Sequence, residues 1–289
     1  MKHLSIIGAG RLGQTLGHLF HKQGSVAIAG IHNRSASSSL VAAEFIGTGQ
    51  IIDQMNNLPP SDYFLIACPD DSIEATCEGL AGTGIINDET IVFHCSGAKS
   101  SDCLHAARNS GAAVASVHPI KSFSTPARST HTFSGTFCTI EGDERAVTAL
   151  SQLLTAIGGR IIPIHSDQKS LYHAAICLVC NHLVGLMESG LQLLEQTGIE
   201  RNDAMAMIQP IVHHTVDNIF TQGTTDALTG PIVRGDASTI AEHIRALGDH
   251  APKSLDVYRA LGECVLDISK RREPLDYSSI ETLLATSNP

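Results

Sequence analysis

One short stretch constrains this chain more than any other. Leu4–Ile7 reads as an apolar strand and runs straight into Gly8-Ala9-Gly10-Arg11-Leu12-Gly13, after which Leu12, Leu16, Leu19 and Phe20 recur at helical spacing. Strand, glycines, helix is the order a dinucleotide-binding turn requires. Gly8 permits the tight turn, Gly10 lets a pyrophosphate approach the backbone, and Gly13 lets the helix pack on the strand. Around Arg11 and Leu12 the helix start offers backbone N–H groups and the positive end of its dipole to phosphate.

The second strand, "VAIAGIHNRS", ends about twenty residues past the glycines, where an NAD site carries Asp or Glu for the ribose 2′-hydroxyl. This sequence has Asn33-Arg34-Ser35 instead. There is no repelling carboxylate, and a guanidinium can take a 2′-phosphate bidentately, so NADP (NADPH) is the expected cofactor. Further strands are read at 63–68, 90–95, 112–118, 136–142 and 159–164. Their carboxyl ends bring Cys68-Pro69, Ser96-Gly97 and His118-Pro119 to the crevice of a doubly wound sheet. The predicted architecture is an α/β Rossmann-type doubly wound sheet over residues 1–165, followed by an all-α domain over 166–289.

From Ser166 the pattern is helical. Residues 166–198 read as one long helix, capped by Ser166 or Asp167 and stopped at Gly198. At about 100° per residue, Lys169, His173, Asn181 and Glu188 share an arc of roughly 120° with Cys177 and Val184. Polar groups on an otherwise buried helix need partners, so this stripe is expected to face the nicotinamide. Residues 201–223 form a helix bent near Pro210, and Thr239-x-x-Glu242 has the form of a capping box. Between them "ALTGPIVRGD" breaks the helical pattern. Gly230-Pro231 ends one helix, and Gly235 permits a tight turn that could present Arg234 to a substrate carboxylate. Asp236 could orient Arg234 or cap the next helix. The last residues, Ser287-Asn288-Pro289, are read as frayed.

Composition narrows the functional classes. A formal charge of −10 argues against general affinity for nucleic acid or an anionic membrane. No apolar run reaches the ~18–20 residues of a membrane span, and no signal-peptide pattern appears, so a cytoplasmic protein is expected. The eight cysteines are scattered and read as free thiols. Neither Cys177-x-x-Cys180 nor the pair His213 and Asp217 has the further ligands a metal would need, and no metal is expected.

These motifs carry a resemblance. An N-terminal glycine fingerprint, a sheet domain and a helical domain opened by a long helix resemble the superfamily of 6-phosphogluconate dehydrogenase, pyrroline-5-carboxylate reductase and ketopantoate reductase. More narrowly, "VHPIKSF", "KSLYHAAICLVCN" and "ALTGPIVRGD" are similar to a Rossmann-like oxidoreductase family with its own helical C-terminal domain. Some members of that family act as an alternative ketopantoate reductase. The resemblance implies an NADPH-dependent reductase of a 2-oxo acid, with ketopantoate the leading substrate in pantothenate and coenzyme A synthesis. His173 or Lys169 would then be the proton donor, because His173 stands where the usual ketopantoate reductases have Lys, and Cys177 where they have an Asn. Asn181, His118 and Ser96 would orient the reacting groups, while Arg234 and Thr229 of the loop would hold the substrate. An imine reductase resembling pyrroline-5-carboxylate reductase and a non-catalytic NADP(H)-binding sensor are the alternatives. A homodimer is expected, because helical domains of this superfamily often pair.

Overall fold

Eight strands form one sheet in the computed structural model, which describes residues 1–272 and 274–285. The expected fraying of Ser287–Pro289 lies outside the described residues. The strands are β1 (His3–Ile7), β2 (Ala27–His32), β3 (Gln50–Ile52), β4 (Tyr63–Ile66), β5 (Ile91–His94), β6 (Ala113–Pro119), β7 (Phe137–Gly142) and β8 (Arg160–Pro163), in the order 3-2-1-4-5-6-7-8. All neighbours are parallel except β6 and β7. The chain winds outward from β1 to β3, then returns to place β4 on the other side of β1. That reversal opens a crevice at the carboxyl ends of β1 and β4, where ligands bind in open α/β sheets.

Helices flank the strands: α1 (Arg11–Gln23), α2 (Ala36–Ile46), α3 (Ile73–Gly82), the short α4 (His105–Asn109) and α5 (Pro126–His131), and α6 (Glu144–Ala156). Alternation along the strands explains why both faces are covered. Leu4 and Ile6 enter one apolar cluster with Leu65, Phe93, Ala115 and Val117. Ile7 enters the opposite one with Phe64, Ile66, Val92 and Val114. Side chains of a strand point to opposite faces in turn, so near-continuous apolar runs mark strands buried on both sides. The three-residue edge strand β3 escapes this reading, because Gln50–Ile52 is too short to show a period.

After β8 come α7 (Lys169–Val179), α8 (Asn181–Gln196), α9 (Arg201–Ala227), α10 (Ala237–His250), α11 (Pro252–Arg272) and α12 (Ser278–Leu284). The chain divides into two compact units, Met1–Ile176 and Cys177–Pro289. The first two turns of α7 therefore go with the sheet. Three local readings are corrected. The long helix is interrupted at Cys180 (φ −115°, ψ −64°). Helical geometry continues through Pro210, and the break falls at Gly223 (φ 81°, ψ 167°), whose missing side chain allows that conformation. The cap of α10 is Asp236 rather than Thr239: its carboxylate accepts the Thr239 N–H at 3.1 Å and the Thr239 hydroxyl at 2.7 Å.

The second unit buries a small core, chiefly Ile232, Ile240, Leu266, Tyr277, Ile280 and Leu284. Meanwhile Leu178, Val184, Ile211 and Phe220 are 65–85% exposed. Within Ser166–Gln196 an 18-residue window reaches a mean hydropathy of 1.5, so the segment is long and apolar enough to cross a membrane by length and composition. This corrects the reading that no segment is. The segment also carries Lys169, His173 and Glu188.

Gly8 is where backbone approaches backbone most closely near the crevice. Its φ is +84°, and a Cβ there would stand 2.7 Å from the Cys68 nitrogen. The Gly8→Ala variant is expected to lose roughly 2 kcal/mol or more of stability, from left-handed strain plus displaced backbone. A urea titration reads this as a lower midpoint. An unchanged midpoint would show that the turn accepts a side chain.

Candidate active site

The glycine turn is held from two sides. The Gly8 N–H donates to the His32 carbonyl at the end of β2 (2.8 Å), and the Ala9 N–H donates to Asn33 Oδ1 (2.6 Å). Asn33 therefore braces the turn. A Cβ on Gly10 would meet nothing closer than the Gly8 carbonyl at 4.0 Å, so this flank is open. A Cβ on Gly13 would press on Gly8 O and Ala67 Cβ at 3.3 and 3.4 Å, which is the helix-on-strand contact expected of it. No side chain caps α1, whose N-cap is Gly10. The N–H groups of Arg11, Leu12 and Gly13 thus have no partner within the helix. Beyond β2, Arg34 is exposed and forms no ion pair among the described residues. Ser35 caps α2 by accepting the Ser38 N–H at 3.3 Å.

The neighbouring strand ends carry the chemistry. Cys68 follows β4, its backbone against Gly8; burial pushes its thiol up, so it stays protonated. Pro69 leads into Asp70, whose carboxylate accepts the Ser96 hydroxyl at 2.7 Å. Ser96 Oγ in turn accepts the Ala98 and Lys99 N–H groups at 3.2 and 2.9 Å. These bonds fold the Ser96-Gly97 turn after β5 into a fixed shape. His94, fully buried on β5, accepts the Ser96 N–H at Nδ1 (3.1 Å) and contacts the Ser100 carbonyl through Nε2 (3.1 Å). A ring that accepts at one nitrogen and donates from the other is neutral. Burial accordingly pushes its pKa down to about 4.

Lys169 is the centre of the cluster. It is 2% exposed, and its ammonium donates to the Ser96 carbonyl at 2.8 Å and to Ser116 Oγ at 2.9 Å. Burial lowers its pKa, and the carboxylate of Glu141 works against that shift. Glu141 is itself buried and accepts the N–H and hydroxyl of Ser101 at 2.7 and 2.8 Å. Next to this charge lies His118, whose Nδ1 is 2.7 Å from the Tyr172 hydroxyl. Burial, then Lys169 and His173, push the His118 pKa down to about 4. The rings of His118 and His173 meet edge to face, 5.8 Å apart. Gly97 makes room for both: a Cβ there would be 2.4 Å from His173 Cδ2 and 3.0 Å from His118 Nε2.

Of the residues singled out in the sequence, Ser96, His118, Lys169 and His173 come together at the strand ends of the first unit. Cys68 and Pro69 lead into the Asp70–Ser96 contact. Asn181, Thr229 and Arg234 belong to the helical unit. There Asn181 is exposed at the start of α8, and Thr229 lines an apolar cavity of about 360 Å³ with Leu193, Ile232, His243, Tyr258 and Val265. Arg234 is exposed on a loop braced by Arg272 to the Leu228 carbonyl (2.7 Å) and by the Tyr277 hydroxyl to the Val233 carbonyl (3.2 Å). Asp236 is committed to capping α10. Tyr172, Ser116, Asp70, His94 and Glu141 were not foreseen. For Tyr172 a signal existed: at i+3 from Lys169 it shares the helix face of Lys169 and His173. Ser116 likewise shares a strand face with His118. Among the described residues no group of His, Cys, Asp and Glu could hold a metal ion.

Two family profiles match the sequence. Residues 2–119 match a Rossmann-like domain, and residues 136–265 match a domain of unknown function (DUF2520). The second match begins just before β7, where the sheet turns antiparallel. Comparison with curated proteins finds no match. Among solved structures, protein TM1727 from Thermotoga maritima is similar at 22% identity, covering 93% of this chain and 98% of that one, with a TM-score of 0.72. BF3122 from Bacteroides fragilis gives 18%, 92%, 98% and 0.72. An imine reductase from Myxococcus stipitatus in complex with NADP+ gives 16%, 98%, 100% and 0.63. At these identities the shared property is the fold: a Rossmann-type sheet followed by a helical region.

The neutral histidines make stability depend on pH. Unfolded His94 titrates near its ordinary value of about 6.5, whereas folded His94 resists protonation until about pH 4. Between these values the unfolded chain binds more protons, so stability falls as pH drops. The slope from His94 approaches about 1.4 kcal/mol per pH unit. Urea midpoints measured from pH 7 to pH 4.5 should fall, and His94→Gln should flatten the fall. Midpoints independent of pH would overturn the assignment of a neutral ring.

Proposed function

We propose that this chain is an NADPH-dependent reductase of a 2-oxo acid, with ketopantoate reduced to pantoate as the leading reaction, supplying pantothenate and coenzyme A synthesis. The observation that carries this reading is a juxtaposition. The open flank of Gly10 lies at the switch point of the sheet; the next strand ends carry a fixed hydroxyl turn and His118, and α7 brings a buried ammonium and His173 to them. The chain fits the cofactor in three respects. A Cβ at Gly10 would occupy the space a pyrophosphate needs, the α1 N-terminus presents unpartnered N–H groups, and the end of β2 carries Arg34 and Ser35 where an NAD site has a carboxylate. Bound there, NADPH would supply the hydride to the carbonyl carbon.

The chain's own residues would hold the substrate and manage the proton. His173 is the proton donor in this proposal. Lys169, fully buried and holding Ser96 and Ser116, supports the site from beneath as a fixed positive charge. Ser96 shapes the turn under the reacting group, and His118 faces the same space. Arg234, whose guanidinium makes no hydrogen bond among the described residues, is proposed to hold the substrate carboxylate. Thr229 and Asn181 are proposed as further contacts. A developing alkoxide gains from donors fixed in a poorly hydrated site.

An imine reductase is the second reading, and one feature favours it. The Asp70 carboxylate at the Ser96 turn would suit a cationic iminium, which needs less help from a proton donor. For the helical unit we propose a second copy of the chain as partner. Its exposed Leu178, Val184, Ile211 and Phe220 call for cover, and a net charge of −10 disfavours an anionic lipid surface.

The test is NADPH oxidation by the purified protein with ketopantoate, other 2-oxo acids and pyrroline-5-carboxylate. Turnover of ketopantoate is expected, with kcat falling about a hundredfold in His173→Ala. The Arg34→Ala variant should weaken NADPH binding about tenfold or more while leaving NADH binding unchanged. Turnover of imines alone selects the second reading. Tight NADPH binding without turnover of any compound would leave a nucleotide-binding sensor. Light scattering should give twice the monomer mass, and a monomer would sink the proposed pairing.

A further inference from the structure

We infer that Tyr172 is a positioning residue: it fixes the proton of His118 on Nε2, so that His118 presents a neutral N–H donor to the reacting group. This inference rests on the site proposed above. The rings of Tyr172 and His118 meet edge to face, 5.7 Å apart, and Tyr172 Oη lies 2.7 Å from His118 Nδ1. That length suits a hydroxyl donor, since O–H bonds are typically shorter than the roughly 2.9–3.0 Å of N–H···O bonds. A phenol donates strongly, and an imidazole nitrogen accepts strongly. The favoured arrangement is therefore O–H to Nδ1, which leaves the single ring proton of a neutral imidazole on Nε2.

The surroundings support both halves of this. Burial raises the Tyr172 pKa, which keeps the phenol protonated and able to donate. Thr139 sits directly opposite His118 across the β6–β7 ladder. Its buried hydroxyl makes no hydrogen bond among the described residues, and its nearness works against the rise in the Tyr172 pKa that burial causes. On the other side, the groups acting on His118 are Lys169 and His173 of α7, which disfavour its protonation, and Asp70 after β4, which opposes them. Burial and the ammonium prevail, and the ring stays neutral.

The second nitrogen points where a donor is useful. His118 Nε2 is 3.0 Å from the place a Cβ on Gly97 would take, the same place that His173 crowds at 2.4 Å. Both rings thus pack on Gly97, whose missing side chain lets them approach. They divide the work there: His118 donates a hydrogen bond without giving up its proton, whereas His173 transfers one. A neutral donor suits a developing alkoxide, because its bond strengthens as charge grows while no charged group needs to be desolvated beforehand. A histidine in this state is selected by its partner at the other nitrogen, and here that partner is Tyr172.

The closing experiment reads the ring directly. Long-range proton–nitrogen correlation spectra of 15N-histidine-labelled protein report the tautomer, with the His118 signals identified by their loss in His118→Gln. The expected result is a neutral ring protonated at Nε2, unchanged from pH 8 to pH 5.5. In Tyr172→Phe the ring should become a mixture of tautomers. A ring protonated at Nδ1, one that titrates near pH 6.5, or one unmoved by Tyr172→Phe would overturn the inference. On an identified substrate, Tyr172→Phe should lower kcat about tenfold, less than the roughly hundredfold expected for losing an oxyanion donor itself. It should cost nothing further in a His118→Gln background, where no tautomer remains to be set. A full tenfold loss in that background would also count against the inference. If the spectra behave as expected and no carbonyl compound is turned over, the reductase reading fails and the tautomer assignment stands.

Discussion

A buried ammonium organises the strand ends of this protein. Lys169 gives up water to donate to Ser96 on the turn after β5 and to Ser116 on β6. An isolated buried charge is costly, and three features offset that cost. Two acceptors lie within hydrogen-bonding distance, the Glu141 carboxylate lies nearby, and the neighbouring rings stay neutral. Because both acceptors belong to adjacent strands, the same bonds that solvate the charge fix the spacing of the crevice floor. The pair Glu141 and Ser101 continues this arrangement deeper into the sheet.

The electrostatics of the histidines follow from burial, to which the same charge adds. His94 and His118 are both held near a pKa of about 4 by burial, and Lys169 adds to the shift in each case. The result is a site with one buried ammonium beside the neutral rings of His94 and His118. Such a layout favours reactions that build negative charge on a substrate oxygen, because the fixed donors need not reorganise as the charge appears. Gly97 is a steric condition of the site, since a side chain there would collide with the rings of His118 and His173.

The helical unit presents a different balance. Its buried core is small, and much of α8 and α9 is apolar and exposed. The loop from Leu228 to Asp236 is more than an interruption between helices. Gly230 and Gly235 take positive φ, Arg272 and Tyr277 hold the backbone, and Asp236 caps α10. Arg234 remains exposed on the loop, and its charge helps hold the Asp236 carboxyl low.

Much of this was legible in local sequence. The strand–glycine–helix order specified the nucleotide turn, the near-continuous apolar runs of β1 and β4–β6 marked strands buried on both faces, and helical spacing put Lys169 and His173 on one side of α7. Those features depend on neighbours a few residues away. What only the tertiary structure decided was which groups meet. Lys169 is 73 residues from Ser96 and 53 from Ser116, and His118 is 54 from Tyr172, so no local pattern could pair them. The same holds for Asn33, which reads as an adenosine contact yet braces Ala9 across 24 residues. The breaks at Cys180 and Gly223 depended on competition among nearby residues, whereas the cap at Asp236 was one of the two roles its place in the sequence offered. The charge states were decided last: a histidine's ionisation follows from what surrounds it once the chain has folded.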